Sequence, residues 1–202
     1  MYKNCIKRLL DFSLSLIALL VLSPVLLILT VLGAWQMKGN PFFTQIRPGR
    51  NEKLFRLIKF RTMTCEKDTD GNLLPDEQRL NRYGKLLRST SLDELPELVN
   101  ILLGQMSIVG PRPLLVEYLP LYDSVQRRRH EVRPGLTGYA QVHGRNTVTW
   151  EDKFRMDVDY VESVRFLGDV KIILETVKAV LKRDGISSET SATMEPFRGT
   201  KV

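Results

Sequence analysis

Residues 12 to 35, FSLSLIALLVLSPVLLILTVLGAW, form one apolar run that predicts a membrane-inserted helix. About 24 residues at a rise of about 1.5 Å reach about 36 Å, more than the ~30 Å of a bilayer's hydrocarbon core. Basic residues flank both ends: Lys3, Lys7 and Arg8 before the run, then Lys38, Arg47, Arg50, Lys53 and Arg56 after it. Lysine and arginine beside a membrane segment mark its cytoplasmic side, so both ends carry the same mark. Ser23-Pro24 lies near the middle. Proline has no N–H and crowds the carbonyl four residues back. In lipid that carbonyl needs another donor, and the Ser23 hydroxyl is adjacent. A re-entrant helix, broken at Ser23-Pro24 and leaving by the leaflet it entered, satisfies both flanks. A single span with a tolerated proline fits the same composition, and the pattern leaves the two open. Asp11, at the entrance, is expected at headgroup level. A cleaved signal peptide is disfavoured, because the run exceeds the roughly 7–15 residues of an h-region and no A-x-A site follows.

Beyond the run the periodicity shortens. PFFTQI (41–46) and KLFRLIKF (53–60) flank the turn-rich RPGRN and predict a β-hairpin. EKDTDGNLL (66–74) is a polar loop that lacks the spacing of a calcium-binding loop. Helical spacing covers 75–88, with Leu80, Tyr83 and Leu87 on one side, and 95–103, which stops at Gly104. It also covers 114–132, interrupted at Pro120, then 150–164 and 169–182. The last of these sets Ile172, Ile173, Val177, Val180 and Leu181 along one stripe. Residues 133–146 are rich in glycine and proline and read as loop. The stripes suit core packing; helices lying flat among lipid headgroups are the alternative. The expected fold is α+β and mostly helical. A re-entrant helix occupies 1–38, a cytoplasmic catalytic domain 39–186 and a polar tail 187–202.

Charge narrows the partners. The 202 residues hold 30 Lys and Arg against 23 Asp and Glu, a net charge of +7. That excess points to phosphate-bearing partners: anionic lipid headgroups or nucleotides. Nucleic acid is disfavoured, since the chain has a membrane segment and no nucleic-acid-binding motif. Cys5 and Cys65 stand in unrelated contexts, which argues against a disulfide framework or zinc site and for a reducing cytoplasm.

Candidate chemistry gathers in RSTSLDELPEL (88–98). Ser91-x-x-Glu94 has the spacing of a capping box, in which both side chains satisfy free backbone N–H groups. Pro96 counts against it, since a helix capped at Ser91 would lose a hydrogen bond there. If the start lies nearer Asp93, that carboxylate can bind a divalent metal or attack phosphorus, with helix N–H groups facing the phosphate. Basic residues recur in KFRTM (59–63), GPRP (110–113) and VHGRN (142–146). Prolines on both sides of Arg112 restrict its backbone, and a guanidinium fork suits a pyrophosphate. Each of these residues alone reads as a solvated surface charge; three such segments together favour a phosphate site more than any one does.

The broken apolar helix, KFRTM, RSTSLDELPELVNILLGQMSIVGPRPLL, RPGLTGYAQVHGRN and FLGDVKII together resemble the bacterial sugar transferases called monotopic phosphoglycosyl transferases. The resemblance covers nearly the whole chain. Among family members it is most similar to the small ones of N-linked protein glycosylation that use UDP-N,N'-diacetylbacillosamine. It implies a re-entrant helix broken at Ser23 and Pro24, and a site at the cytoplasmic face of the bacterial inner membrane. Asp93 would be the nucleophile and a ligand of Mg2+, with Glu94 as partner carboxylate. Asp93 would attack the UDP-sugar, release UMP and form an aspartyl phosphosugar, which undecaprenyl phosphate then takes up for downstream glycosyltransferases. Arg112, between Pro111 and Pro113, and Arg145 would hold the diphosphate, while Lys59, Arg61 and Arg88 line the site. Asp169 matches an acidic family position, its role left open. His143 departs from the asparagine frequent in the family, which puts donor preference in question. A sibling using another UDP-sugar for capsule, exopolysaccharide or lipopolysaccharide, and a non-catalytic membrane adaptor, are the competing readings.

Overall fold

In the computed structural model, which describes residues 2–144, 148–182 and 196–199, the apolar run is one helix, α1 (Lys7–Gln36). A turn of π-helix over Tyr2–Ile6 leads into it. The expected break at Ser23-Pro24 is corrected: α1 continues as helix through both residues. The Ser23 hydroxyl donates to the Leu20 carbonyl at 2.7 Å, and this is the carbonyl that Pro24 leaves without its usual N–H.

One face of α1 is docked on the rest of the protein along its length, and Leu20, Val21, Leu27 and Trp35 on other faces are exposed. Near its start Asp11 is buried against the domain, and its carboxylate accepts the Ile108 N–H at 3.0 Å. Ala18, Leu19 and Leu22 pack against a core of Phe55, Leu57, Leu98, Ile101 and Met106. Further on, Leu26 and Leu29 meet Phe60 and Leu87, and Tyr83 donates its hydroxyl to the Leu29 carbonyl at 2.8 Å.

The hairpin forms as expected. β1 (Phe42–Pro48) pairs antiparallel with β2 (Leu54–Phe60), from Phe42 opposite Phe60 to Pro48 opposite Leu54. The helix expected over 75–88 is two pieces, α2 (Asp76–Arg79) and α3 (Arg82–Ser89). Asn81 restarts the helix by accepting the Gly84 N–H at 2.8 Å. α4 (Glu97–Leu102) follows a 3-10 turn at Leu92–Glu94 and ends before Gly104, whose φ of 79° suits glycine. Arg8 donates to the carbonyls of Ile101 and Leu102 at 2.7 and 2.9 Å, closing the end of α4 with a cation.

The glycine- and proline-rich stretch is partly ordered structure. β3 (Ser107–Val109) pairs in parallel with β4 (Gly135–Thr137), and α5 (Tyr139–His143) follows. The glycines permit the two chains to touch: a Cβ on Gly135 would lie 2.1 Å from the Gly110 nitrogen. Between these strands, the helix expected over 114–132 is instead two 3-10 segments, Val116–Leu121 and Gln126–Glu131. Pro120 lies inside the first, where an α-helix would need its missing N–H. α6 (Trp150–Glu162) and α7 (Phe166–Lys182) match their expected spans closely. Within the segment expected as a polar tail, Phe197 is buried against Tyr118, Tyr122 and Phe154.

Candidate active site

Three elements converge on the 3-10 turn at Leu92–Glu94. α4 is locked to β2 by Asn100, which accepts the Ile58 N–H at 3.1 Å and donates to the Arg56 carbonyl at 2.8 Å. That registration sets Lys59 of β2 against the start of α4, where its ammonium lies 2.7 Å from Glu94 and 3.0 Å from Glu97. From the far side Arg112 reaches the same Glu94 oxygen at 2.6 Å. The third element is α3. A Cβ on Gly84 would overlap the Thr62 carbonyl, so glycine lets α3 abut the chain after β2. Arg88 then donates to the Thr62 hydroxyl at 3.0 Å.

The capping box does not form. Ser91 is left-handed (φ 55°) and makes no side-chain cap, and Glu94 spends its carboxylate on the two cations. A left-handed serine is strained, and such residues concentrate at functional turns. Among the described residues, Asp93 takes part in no hydrogen bond or ion pair, although it is half-buried beside this cluster.

The electrostatics separate the neighbouring acids. Burial raises the Asp93 carboxyl above the usual aspartate range and Glu94 adds to the rise; Lys59, Arg112 and Arg88 pull it back without cancelling it. For Glu94, burial opposes ionisation, yet Arg112 and Lys59 outweigh it and hold the carboxyl down at about 2. Glu97 is pushed up to about 7, chiefly by burial, with Lys59 opposing and Glu94 reinforcing. The arrangement therefore offers one open carboxylate of raised basicity beside one permanently charged, cation-held carboxylate. An unpaired carboxylate flanked by cations is equipped to attack a phosphorus whose oxygens those cations neutralise.

Arg112 is held by its backbone as well as by its prolines. Pro111 and Pro113 are buried and the Arg112 side chain is 45% exposed. The Arg112 carbonyl accepts from Arg129 at 2.8 Å, and Arg129 is itself paired with Asp157 at 2.7 Å with both side chains nearly fully buried. Arg47 donates toward the Pro113 carbonyl at 3.4 Å.

Of the residues expected in the site, Asp93, Glu94, Lys59, Arg88 and Arg112 come together, with Pro111 and Pro113 framing the last. Arg61 makes no bond to this cluster among the described residues; its guanidinium donates to the Cys65 sulfur at 3.4 Å. Arg145 lies outside the described residues. Among the described residues no group of three or more His, Cys, Asp or Glu is arranged to hold a metal. Mg2+ nonetheless fits: Asp93 is free of other donors, and this ion is commonly held by one or two carboxylates with phosphate oxygens and water completing its shell.

Residues 2–183 match the family model described as bacterial sugar transferase. The chain belongs to that family. It is 50% identical over 196 residues to an uncharacterized sugar transferase, EpsL, of Bacillus subtilis, covering 96% of each chain. It is 37% identical to the exopolysaccharide production protein ExoY of Sinorhizobium fredii, covering 86% of this chain and 84% of that one. A UDP-glucose:undecaprenyl-phosphate glucose-1-phosphate transferase of Klebsiella pneumoniae is 39% identical over 85% of this chain, which spans 39% of that longer protein.

For this sugar transferase, reading the sequence missed Glu97, Arg47 and the Arg129–Asp157 pair. Glu97 carried a signal, since carboxylates at 94 and 97 fall on one side of a helix. Arg129 stood in the run Arg127-Arg128-Arg129 and could not be told from its neighbours. Arg127 and Arg128 pair with exposed or half-exposed glutamates on the surface.

Proposed function

We propose that this sugar transferase moves a sugar 1-phosphate from a UDP-sugar to undecaprenyl phosphate by two displacements at Asp93. The observation that carries this reading is the open Asp93 carboxylate beside a Glu94 held by Lys59 and Arg112. In the first step an Asp93 oxygen attacks the sugar-linked phosphorus, the bond to the UMP oxygen breaks, and UMP leaves. An oxygen of undecaprenyl phosphate then attacks the same phosphorus, the acyl phosphate bond breaks, and Asp93 is regenerated as carboxylate. Arg112, Lys59 and Arg88 offset the phosphate charge that would otherwise repel an anionic nucleophile. Glu94 orients Arg112 and Lys59 and, as the partner carboxylate, the incoming lipid phosphate. Bound Mg2+ would supply further neutralisation of phosphate charge beside Asp93.

The docking of α1 supports a placement with both of its ends at the cytoplasmic face of the inner membrane, without a break at Ser23-Pro24. A straight helix of 30 residues is about 45 Å long. The domain touches it at Lys7 and Arg8 and again where Gly33 meets Pro41 and Tyr83. A domain in contact with both ends of a helix lies beside it, so a perpendicular span would carry polar surface through lipid. Cysteines placed at Lys3 and Asn40, in a chain lacking Cys5 and Cys65, are expected to label from the cytoplasmic side only; labelling from opposite sides overturns this placement.

UDP-N,N'-diacetylbacillosamine is the donor suggested by the sequence motifs. UDP-glucose or another exopolysaccharide donor is the second reading, favoured by the names of the relatives. A panel of UDP-sugars, scored for Mg2+-dependent UMP release and for the mass of the trapped protein, decides between them. The expected adduct is one phosphosugar on Asp93. Release of UDP instead of UMP, or an adduct elsewhere, overturns the mechanism.

A further inference from the structure

Phe197 is 4% exposed, although it lies in a segment with little else to bury. Its ring stands 4.9 Å from Phe154, 5.6 Å from Trp150, 5.7 Å from Tyr118 and 6.0 Å from Tyr122, centroid to centroid. Its backbone N–H donates to the Tyr118 hydroxyl at 3.2 Å. Two of these rings support a cation: the Arg129 guanidinium sits 5.8 Å from the Tyr122 centroid and 5.7 Å from that of Phe154. Arg129 pairs with Asp157 and donates to the Arg112 carbonyl, and Arg112 reaches Glu94. A continuous series of contacts thus runs from the C-terminal segment to the acidic pair.

The geometry points to Phe197 as a positioning residue for the donor site: by completing the aromatic cluster behind Arg129, it fixes the direction in which Arg112 meets the donor's diphosphate. This rests on the proposed transferase reaction. Without the ring, the cluster has a cavity beside Tyr122 and Phe154, which gain room to move. Arg129 then loses its rigid backing, and the Arg112 carbonyl loses a donor held in one place. Asp93, Lys59 and Glu97 sit on β2, α4 and the turn before it, and none of them touches the cluster. The effect should therefore fall on what Arg112 does for the donor and leave the fold around Asp93 intact.

The test uses the full chain in nanodiscs, with Phe197→Ala, Phe197→Leu and Phe197→Trp. Steady-state kinetics with the best UDP-sugar of the panel are combined with hydrogen exchange across the protein. For Phe197→Ala the expected result is a kcat/KM lowered roughly 10- to 100-fold, in line with the cost of small misplacements in an active site. Exchange should quicken at 110–116 and 126–132 and stay unchanged in the hairpin and α4. Phe197→Trp, which keeps an aromatic ring, should restore most of the lost kcat/KM. If Phe197→Ala fails to fold, Phe197→Leu is judged by the same two readouts. An unchanged kcat/KM with unchanged exchange overturns the proposal. So does a fall in kcat with faster exchange everywhere, the mark of general loosening. A wild-type chain that releases no UMP from any UDP-sugar overturns the proposed reaction instead, and the exchange pattern still decides whether Phe197 orders the Arg112 segment.

Discussion

Asp169 and Asp93 are both aspartates near cations, and they end in opposite states. Asp169 accepts hydrogen bonds from the Tyr2 hydroxyl at 2.6 Å, the Lys7 ammonium at 2.6 Å and the Tyr160 hydroxyl at 2.8 Å. Burial and the aspartate together push both tyrosine hydroxyls well above their ordinary range, so they remain protonated donors. Asp93 accepts nothing among the described residues. A buried charge with its acceptor sites filled is a structural tie. Here it fastens the start of the membrane helix to α6 and α7, which gives the acidic position left open by sequence a structural role. A charge beside cations that have other partners is available for reaction. Proximity to lysine and arginine does not separate the two cases, and occupancy does.

Exchanging each aspartate breaks the comparison most directly. Asp93→Asn should lower UMP release by at least about 10^4-fold, the scale of losing a nucleophile, with the thermal midpoint little changed. Equal turnover in that variant would remove Asp93 from the reaction. Asp169→Ala should do the reverse. It strands Lys7, whose side chain is only 12% exposed, and should cost about 3–5 kcal/mol of stability in denaturant titrations. Turnover per folded molecule should stay near wild type.

Arg112→Lys sharpens the picture on the cation side. A lysine keeps the charge but loses the planar fork, and the expected loss is about 10^2-fold in kcat/KM. A variant indistinguishable from wild type would show that charge alone is needed there. The smallest effect concerns pH. Glu97 holds its proton up to about 7 in the fold against an ordinary value of 4.5, so between these values the folded state binds more protons than the unfolded one. Its contribution to stability therefore falls as pH rises through that window. Glu97→Gln should flatten this slope, measured as the thermal midpoint from pH 4 to 8; an unaltered slope would show that Glu97 is not the titrating group.

The acidic pair was legible because adjacent residues share a turn whatever surrounds them, and Lys59, Arg88 and Arg112 stood in recognisable motifs. The capping box was the local optimum for Ser91 and Glu94. It lost because two cations from β2 and the proline-framed loop claimed Glu94. A short-range hydrogen bond could not compete with charge-assisted ones at 2.6 and 2.7 Å. Similarly, residues 133–146 read as loop, since three-residue parallel strands leave no alternation to detect and glycine there records a backbone neighbour far away in sequence.

Length and apolarity were enough to specify one long helix able to enter a membrane, and period-two and period-3.6 spacing specified the hairpin and the last two helices. These follow from interactions within a few residues of one another. The docking of α1 along one domain, the freedom of Asp93 against the saturation of Asp169, and the burial of Phe197 depend on contacts between distant segments. Each is settled by which partner reaches a polar or aromatic group first in three dimensions, and neither composition nor spacing records that competition.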